Sequence, residues 1–315
     1  MPYMVRVVVK NLSKRYDEKR GKSFALKNVS LDSDIHGIFT IIGRNGAGKT
    51  TLIRILSTEL LPTSGSVYMA GVDVVKMPSK IRDRIAVVPQ EGRLVPWMSV
   101  LQNISTYLLW RGFSYKEAVS RARQSIHEFR LDRYADKLPE KLSGGMKRKA
   151  LVALVMSSEA DIIFLDEPST GLDPVSRREL WSMLKKLKKD RMIVLTTHYL
   201  EEAEELSDKI AVLDEGRLVA FGTLDDLRKK VGYPYSIRVL SGKHRLSHVH
   251  GKVLRKEDGT MQIFSSEDEA DKLASRFIRS GVKFSMNPTS LDDIFYMLVG
   301  DINKDEEAAD EKEWS

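Results

Sequence analysis

The stretch that decides the fold is IFTIIGRNGAGKTTL at residues 38–52. It opens with β-branched and aromatic residues, which predict a buried strand. The pattern G-x-x-x-x-G-K-[ST] follows, and a helix is predicted to begin near Thr50 and Thr51. The residues of the pattern are Gly43, Arg44, Asn45, Gly46, Ala47, Gly48, Lys49 and Thr50.

The spacing of this pattern suits a loop that binds phosphate. Glycines let the backbone curl until successive N–H groups point into one concavity, and the helix N-terminus adds a partial positive charge. Lys49 can then reach the β- and γ-phosphates of a nucleotide, and the Thr50 hydroxyl can bind Mg²⁺. A chance glycine turn before a helix is the alternative. The strand before the loop and the helix after it favour a nucleotide site.

The composition is that of an ordinary folded protein. The chain has 315 residues, 42% hydrophobic and 30% charged, which is enough for one large domain and a smaller one. No apolar run approaches the ~18–20 residues that span a bilayer. The absence of cysteine and of signal-peptide features fits an intracellular location. The net charge of +7 fits either a solvated surface or an anionic partner such as nucleic acid or a membrane.

Two carboxylates follow a second apolar stretch, DIIFLDE at residues 161–167. The run predicts a strand buried on both faces of a parallel sheet, with Asp166 and Glu167 at its carboxyl end, where open α/β sheets bind ligands. Asp166 suits a magnesium site beside Thr50, and Glu167 suits a general base for an attacking water. Paired acids can instead cap a helix, but Pro168 and the phosphate loop upstream argue against that.

Two further candidates lie near predicted strands. Tyr16 precedes the phosphate loop, where its ring could stack on a purine or simply anchor the surface. Gln90 follows a strand predicted at residues 84–88, so it could reach a ligand or a metal, or be an ordinary polar loop residue. Residues 3–9 and 24–31 are predicted strands of an N-terminal β part, with a polar loop at residues 17–22 between them.

Candidates near predicted helices complete the set. Ser143, Gly144 and Gly145 form a turn before a helix predicted at residues 147–157, which suits either a second anion site or a plain helix start. Asp173 is predicted to cap a helix that has Pro174 in its first position. His198 follows a strand at residues 192–196 and could donate to a γ-phosphate oxygen, although a lone histidine is more often structural.

Residues 99–132 carry apolar side chains at helical spacing, which predicts a helical insert at about residues 97–157. Gly112 is expected to divide two helices, and residues 95–98 form a possible exposed contact patch. The predicted core faces consist of Leu101, Ile104, Leu108, Leu109 and Trp110 on one helix, and Ala118, Ala122, Ile126 and Phe129 on the other.

A small α+β domain is predicted for residues 233–300. Its elements are a strand at 235–240, two strands around Glu257-Asp258-Gly259, a helix at 266–279, a strand at 282–286 and a helix at 290–299. Ser266 and Glu269 match a capping box. The acidic tail at residues 301–315 is expected to be disordered.

These motifs together resemble the nucleotide-binding subunit of an ABC transporter, over about residues 3–230. The resemblance implies an α/β P-loop NTPase of ABC type at 1–230, with a helical insert and an N-terminal antiparallel β part. It implies ATP and Mg²⁺ as cofactors, and Thr50, Gln90 and Asp166 as metal contacts. It also implies that Tyr16 stacks on adenine, Glu167 activates water and His198 holds the γ-phosphate. Met146 stands where the family usually has glutamine, but the Ser-Gly-Gly part is intact.

The resemblance further implies that the chain assembles with a second ATPase subunit and with a membrane protein. Ser143, Gly144 and Gly145 would touch the γ-phosphate bound by another copy, with Asp173 at the interface of a homodimer or heterodimer. A separate polytopic permease would be the membrane partner, docking near Trp97 and Met98, which places the chain on the cytoplasmic face of the membrane. No nucleic acid is expected. Residues 288–295 resemble the extra domain of drug-resistance and ABC-2 exporter ATPases, which favours export.

Two other functions compete with transport. A non-transport ATPase of the same superfamily would act on ribosomes or DNA, but such proteins typically carry two nucleotide domains or a long coiled coil. A regulatory module would bind nucleotide without turnover, and the presence of both Glu167 and His198 argues against it. We expect an ATPase that dimerises on ATP and drives a separate membrane subunit.

Overall fold

The computed structural model describes residues 4–18, 21–239, 251–255 and 261–300. The described residues form two compact units that divide between Leu218 and Val219. None of the described helices combines the length and the apolar character needed to cross a membrane.

The secondary structure alternates strands and helices after a β-rich start. The strands of the described residues are β1 (Met4–Glu18), β2 (Gly21–His36), β3 (Ile38–Gly43), β4 (Ser64–Met69), β5 (Val72–Asp73), β6 (Ile85–Val88), β7 (Ile162–Asp166), β8 (Met192–Thr197), β9 (Lys209–Asp214), β10 (Arg217–Gly222), β11 (Tyr235–Val239), β12 (Lys252–Arg255), β13 (Met261–Ser265) and β14 (Phe284–Pro288). The helices are α1 (Lys49–Leu56), α2 (Ser79–Arg82), α3 (Val100–Trp110), α4 (Tyr115–Glu128), α5 (Gly144–Met156), α6 (Pro174–Leu187), α7 (Leu200–Leu206), α8 (Leu224–Val231), α9 (Glu267–Arg279) and α10 (Leu291–Val299).

The N-terminal sheet is antiparallel, with strand order β2-β1-β4-β5. Alternate residues of β1 are buried, as expected of a strand with one face on a core. The loop predicted at residues 17–22 is wrong at its two ends, because Asp17 pairs with Lys22 and Glu18 with Gly21. Residues 19–20 lie outside the described residues. Ladder hydrogen bonds are made by the backbone, so a polar stretch can continue a hairpin.

The second sheet has the order β10-β9-β3-β8-β7-β6, and the pairs that join β9, β3, β8, β7 and β6 are parallel. Strands β3, β7 and β8 are buried at every residue, which agrees with their continuous apolar sequences. Because parallel strands end at the same edge, the loops after β3, β6, β7 and β8 meet there. This edge carries the phosphate loop, Gln90, Glu167 and His198.

The predicted helical insert is present as α3, α4 and α5. Gly112 divides α3 from α4 with φ of 92°, and Ala118, Ala122, Ile126 and Phe129 are buried as predicted. Ile104 and Leu108 are also in the core. The prediction is wrong for Leu109 and Trp110, whose exposed fractions are 40% and 79%. Both lie in the last turn of α3, on the side of the helix away from the stripe of Ile104 and Leu108.

The C-terminal unit contains an antiparallel sheet with the order β12-β13-β11-β14. Ile237, Val239 and Ile263 from this sheet pack with α9 in a separate apolar cluster. Ser266 begins α9, but the predicted capping box is wrong because its side chain makes no cap hydrogen bond, and Glu269 lies 3.8 Å from Lys272 Nζ. Helix α8 is not among the elements predicted from the sequence. Residues 240, 257–259 and 301–315, for which it predicted structure or disorder, lie outside the described residues.

Candidate active site

The phosphate loop connects β3 to α1, which begins at Lys49. Gly48 is the N-cap residue, with φ of 103°, and a Cβ added there would lie 2.4 Å from the carbonyl oxygen of Ala25 in β2. A Cβ at Gly43 would lie 2.4 Å from the carbonyl oxygen of Leu213. The first and last glycines of the pattern are therefore required by close backbone contacts as well as by the curl of the loop.

Lys49 is buried beneath this loop. Its Nζ donates hydrogen bonds to the carbonyl oxygens of Gly43 at 3.0 Å and Arg44 at 3.2 Å. Burial lowers the pKa of the Lys49 ammonium group, and the nearby carboxylates of Glu167 and Asp166 offset part of that effect. A buried cation with negative groups beside it is ready to exchange its partners for phosphate oxygens.

Asp166 ends β7 next to the start of α1. The Thr50 hydroxyl donates to Asp166 Oδ1 at 3.3 Å, and the Thr196 hydroxyl donates to the same oxygen. Thr50, Gln90 and Asp166 line one cavity of about 420 Å³. A hydroxyl, an amide and a carboxylate supply the oxygen donors that Mg²⁺ prefers, and the cavity has room for nucleotide oxygens to complete the coordination. The residues present therefore fit a magnesium ion.

Glu167 lies directly after β7 and is the central group of the site. Its Oε1 is 3.8 Å from Lys49 Nζ, and its Oε2 is 3.3 Å from His198 Nδ1. The Thr170 hydroxyl donates to Oε2 at 2.9 Å. The backbone of Glu167 has φ of 49°, a left-handed conformation that is unfavourable for a residue with a side chain. The strained residue is therefore the one whose carboxylate lies between Lys49 and His198.

The Ser143 turn lies at the start of α5, which begins at Gly144 rather than at residue 147 as predicted. The Ser143 hydroxyl accepts a hydrogen bond from the backbone N–H of Met146 at 3.3 Å, so it caps the helix. A Cβ added at Gly145 would lie 3.2 Å from Ser176 Oγ. The contacts of this turn are thus with α5 and α6, and the structure does not join it to the phosphate loop of the same chain.

Asp173 caps α6 as predicted. Its Oδ1 accepts hydrogen bonds from the backbone N–H groups of Val175 and Ser176, each at 3.0 Å, and Pro174 occupies the first position. The hydrogen bond from the Ser176 hydroxyl is the main reason that the pKa of Asp173 is held below its usual value. The carboxylate is exposed, so it remains available to a partner.

Tyr16 lies near the end of β1, opposite Ser23 in β2. Its side chain is 36% exposed, and Lys14 Nζ lies 5.3 Å from the centre of its ring. Two residues after Ser23, the Ala25 carbonyl contacts the phosphate loop at Gly48. The hairpin therefore passes beside the loop with an accessible aromatic face, as stacking on a purine requires.

Three residues that contact the site are not predicted from the sequence. The Thr170 hydroxyl donates to the Glu167 carboxylate, and the Thr196 hydroxyl donates to Asp166 and accepts from the Glu167 N–H. The buried Arg148 donates to the backbone carbonyls of Asp166 and Glu167. Arg148 lies in the basic run Lys147-Arg148-Lys149, which suggests a solvated face. Its spacing from the buried Val152 and Val155 is the signal that could have placed it inside, because residues four and seven apart share one helix face.

The fold and the site together define a class of protein. A parallel sheet presents a G-x-x-x-x-G-K-T loop, a strand-end aspartate beside the loop threonine, and a glutamate in contact with the loop lysine. This is the arrangement of a P-loop nucleotide-binding protein.

Comparisons with known proteins agree with this class. The family model described as "ABC transporter" matches residues 26–170. The daunorubicin/doxorubicin resistance ATP-binding protein DrrA of Streptomyces peucetius is 33% identical over 305 residues, covering 91% of this chain and 92% of that protein. A dimeric structure of a post-hydrolysis state of an ATP-binding cassette, bound to ADP and Pi, matches with a TM-score of 0.64 at 28% identity, covering 69% of this chain and 98% of that one.

Other relatives are much longer. ABC transporter A family member 2 of Dictyostelium discoideum is 36% identical over 231 residues, which is 73% of this chain but only 14% of that protein. The chain thus spans a small part of the length of these relatives. Since the likeness to DrrA extends over nearly the whole of both proteins, the chain belongs to the ABC transporter family. The predicted family, the fold class and the ATPase class are confirmed.

Proposed function

We propose that this chain is the ATP-hydrolysing subunit of an exporter, which dimerises on ATP and drives a separate membrane permease. The observation that carries the proposal is the position of the Glu167 carboxylate, in contact with both Lys49 and His198. A carboxylate held beside the cation that binds the β- and γ-phosphates is placed to take a proton from a water that attacks the γ-phosphate.

The other residues take supporting roles around the nucleotide. Gly43 to Thr51 hold its phosphates, Tyr16 stacks on adenine, and His198 donates to the γ-phosphate. Thr50, Gln90 and Asp166 would hold Mg²⁺. The ion, when bound, neutralises charge that develops on the phosphoryl oxygens. The side chains of Lys49 and Glu167 separate as the phosphate enters, which frees the carboxylate for the water.

A second copy of the cassette completes the site in this proposal. Ser143, Gly144 and Gly145 of one copy meet the γ-phosphate held by the other, and Asp173 lies at the interface. The dimeric ADP- and Pi-bound cassette to which this fold is similar supports the arrangement. The exposed position of Ser143 and Gly144 in the single chain agrees with it.

The transport role rests on the relatives and on the domain organisation. The resistance to daunorubicin and doxorubicin named for DrrA, a relative along nearly its whole length, supports export. We assign residues 1–230 to the ATPase and 233–300 to an accessory domain. The permease is a separate polytopic chain, so the proposed location is the cytoplasmic face of the membrane.

The substitution Glu167→Gln tests the proposal directly. It should leave ATP affinity near normal, because the amide keeps the size of the side chain, and lower kcat by roughly 10²–10⁴. Calorimetric ATP binding and steady-state phosphate release measure the two effects. The control is Glu159→Gln, an exposed carboxylate just before β7, which should leave kcat unchanged. Near-normal hydrolysis by the Glu167 variant would overturn the assignment of the base.

A further inference from the structure

Arg148 is a buried cation in the second turn of α5, with 8% of its surface exposed. Its guanidinium group reaches the catalytic edge of the parallel sheet. There it donates hydrogen bonds only to backbone carbonyls: Nε to Pro168 at 3.1 Å, Nη1 to Pro89 and Gln90 at 3.3 Å each, and Nη2 to Asp166 at 2.6 Å and Glu167 at 3.0 Å.

These contacts use the full donor capacity of the side chain. A guanidinium carries five N–H groups in a fixed plane, whereas an ammonium carries three without that geometry. Two of the five acceptors lie in the loop after β6, and the other three are Asp166, the last residue of β7, and the two residues that follow it. Because all of the acceptors are carbonyls, Arg148 does not occupy the carboxylate oxygens of Asp166 and Glu167.

Three of the acceptors are consecutive, and this explains the strained backbone of Glu167. Carbonyls along an extended strand point alternately to opposite sides, so those of Asp166, Glu167 and Pro168 can converge on one group only where the chain leaves the strand conformation. Glu167 makes that departure, with φ of 49°. Its N–H is held from the other side by the Thr196 hydroxyl at 2.9 Å.

We infer that Arg148 is the positioning residue for the general base: it fixes the left-handed backbone of Glu167 and ties it to the Gln90 loop and to α5. The inference rests on the proposed role of Glu167. Without the guanidinium, the segment can relax toward an ordinary strand end, and the carboxylate moves away from Lys49 and His198. Misplacement of a catalytic group by about 1 Å can cost 10²-fold in rate.

Two variants and a matched control test this role. Arg148→Met removes all five donors and should lower kcat by about 10²-fold, with ATP affinity changed by no more than about threefold, since the phosphate loop keeps its own contacts. Arg148→Lys keeps the charge with fewer donors and should lower kcat by roughly tenfold. The control is Lys149→Met, the next residue on α5, equally buried but paired with Glu179 on α6. It should lower thermal stability to a similar extent and leave kcat unchanged.

A double-variant measurement separates positioning from general stability. In a Glu167→Gln background, Arg148→Met should cause no further loss of single-turnover rate, because the group that it positions is already gone. A further ~10²-fold loss in that background would overturn the inference, as would wild-type kcat in a folded Arg148→Met protein. If that protein does not fold, wild-type kcat in Arg148→Lys has the same meaning. Retained turnover in Glu167→Gln alone would instead overturn the proposed function.

Discussion

Lys49 lies under the phosphate loop with 6% of its surface exposed, and its pKa is lowered by burial. A lysine with a lowered pKa binds its proton less tightly in the folded chain than in the unfolded chain. Its charge therefore opposes folding at neutral pH, and this cost diminishes as the pH rises toward the ordinary value of 10.5. The protonated form of Lys49, which the proposed function needs for phosphate binding, is thus the form that burial disfavours in the nucleotide-free fold.

Lys49→Met should separate these two effects. The loss of charge-assisted contacts to the phosphates should weaken ATP binding by about 2–3 kcal/mol, roughly a hundredfold. The urea midpoint of the nucleotide-free variant at pH 7 should equal or exceed that of the wild-type protein. Any difference between the two midpoints should become smaller as the pH approaches 10.5. Equilibrium unfolding and calorimetry measure both quantities, with the exposed Lys80→Met as control. Unchanged ATP affinity would contradict the phosphate-loop assignment.

The site residues that can be predicted from the sequence are those whose positions depend on spacing along one short stretch of chain. The phosphate loop, Asp166 and Glu167 follow from a fixed spacing next to a buried strand, and the structure puts them in contact. The five carbonyls that Arg148 binds are set by where β6 and β7 end, and no spacing along the chain encodes that convergence. The strained φ of Glu167 could not be predicted for the same reason.

Asn103 in α3 holds the loop before that helix in place, and this loop carries an exposed tryptophan. Asn103 in α3 is buried and accepts a hydrogen bond from the Val95 N–H at 2.7 Å. Its amide group donates to the carbonyls of Val95, Met98 and Ser99. These four bonds hold the loop that carries Trp97, whose side chain is 75% exposed. An exposed tryptophan on a fixed loop is well suited to bind a partner.

Trp97→Ala should lose coupling to the permease without harming the subunit itself. Loss of an interface tryptophan typically costs about 2 kcal/mol or more, roughly thirtyfold in affinity. Transport should therefore fail in membranes that contain the co-expressed permease, while the ATPase rate and melting temperature of the isolated protein stay normal. The control is Trp110→Ala, at the other end of α3 and 79% exposed. An equal loss of transport in the control would contradict a docking role specific to Trp97.

Periodicity predicted the helices of the insert and the buried strands well, because burial on a fixed face leaves a repeating pattern. It failed where the pattern ends. Leu109 and Trp110 are apolar but lie past the buried stripe, and the hairpin of β1 and β2 continues through polar residues by backbone pairing alone. Ser266 has the sequence of a capping box, yet the nearby Lys272 offers Glu269 a competing partner.

At the scale of the whole molecule, the two proposed phosphate-binding elements do not meet within the described residues of one chain. The phosphate loop lies at the edge of the parallel sheet, while the Ser143 turn contacts α5 and α6. The proposed function joins them across two copies, with ATP between Lys49 of one and Ser143 of the other. Since ATP would then bind the dimer more tightly than the monomer, it favours assembly by mass action.

Ser143→Arg tests this assembly. In the Glu167→Gln background the protein should be monomeric without nucleotide, dimeric with ATP and monomeric with ADP. Adding Ser143→Arg should abolish the dimer, because it puts bulk at the interface, while ATP binding to the monomer persists. Ser143→Ala is the comparison variant: it removes the helix cap, worth ~1 kcal/mol, and the proposed hydroxyl contact with the γ-phosphate, but it adds no bulk, so it should weaken the dimer less than Ser143→Arg. Light scattering gives the result, and a dimer that ignores either ATP or Ser143→Arg would contradict the model.

The strands that pair with β3 come much later in the sequence, so the phosphate loop that follows β3 can reach its folded position only late in synthesis. Phe39 lies opposite Val194 on one side and Lys209 on the other, so both neighbours of the strand leave the ribosome long after it. At ~5–20 residues per second, the nascent chain carries this apolar strand without its partners for roughly eight to thirty seconds. Throughout that interval the strand is open to aggregation, and nucleotide, which stabilises only the completed fold, cannot shorten it.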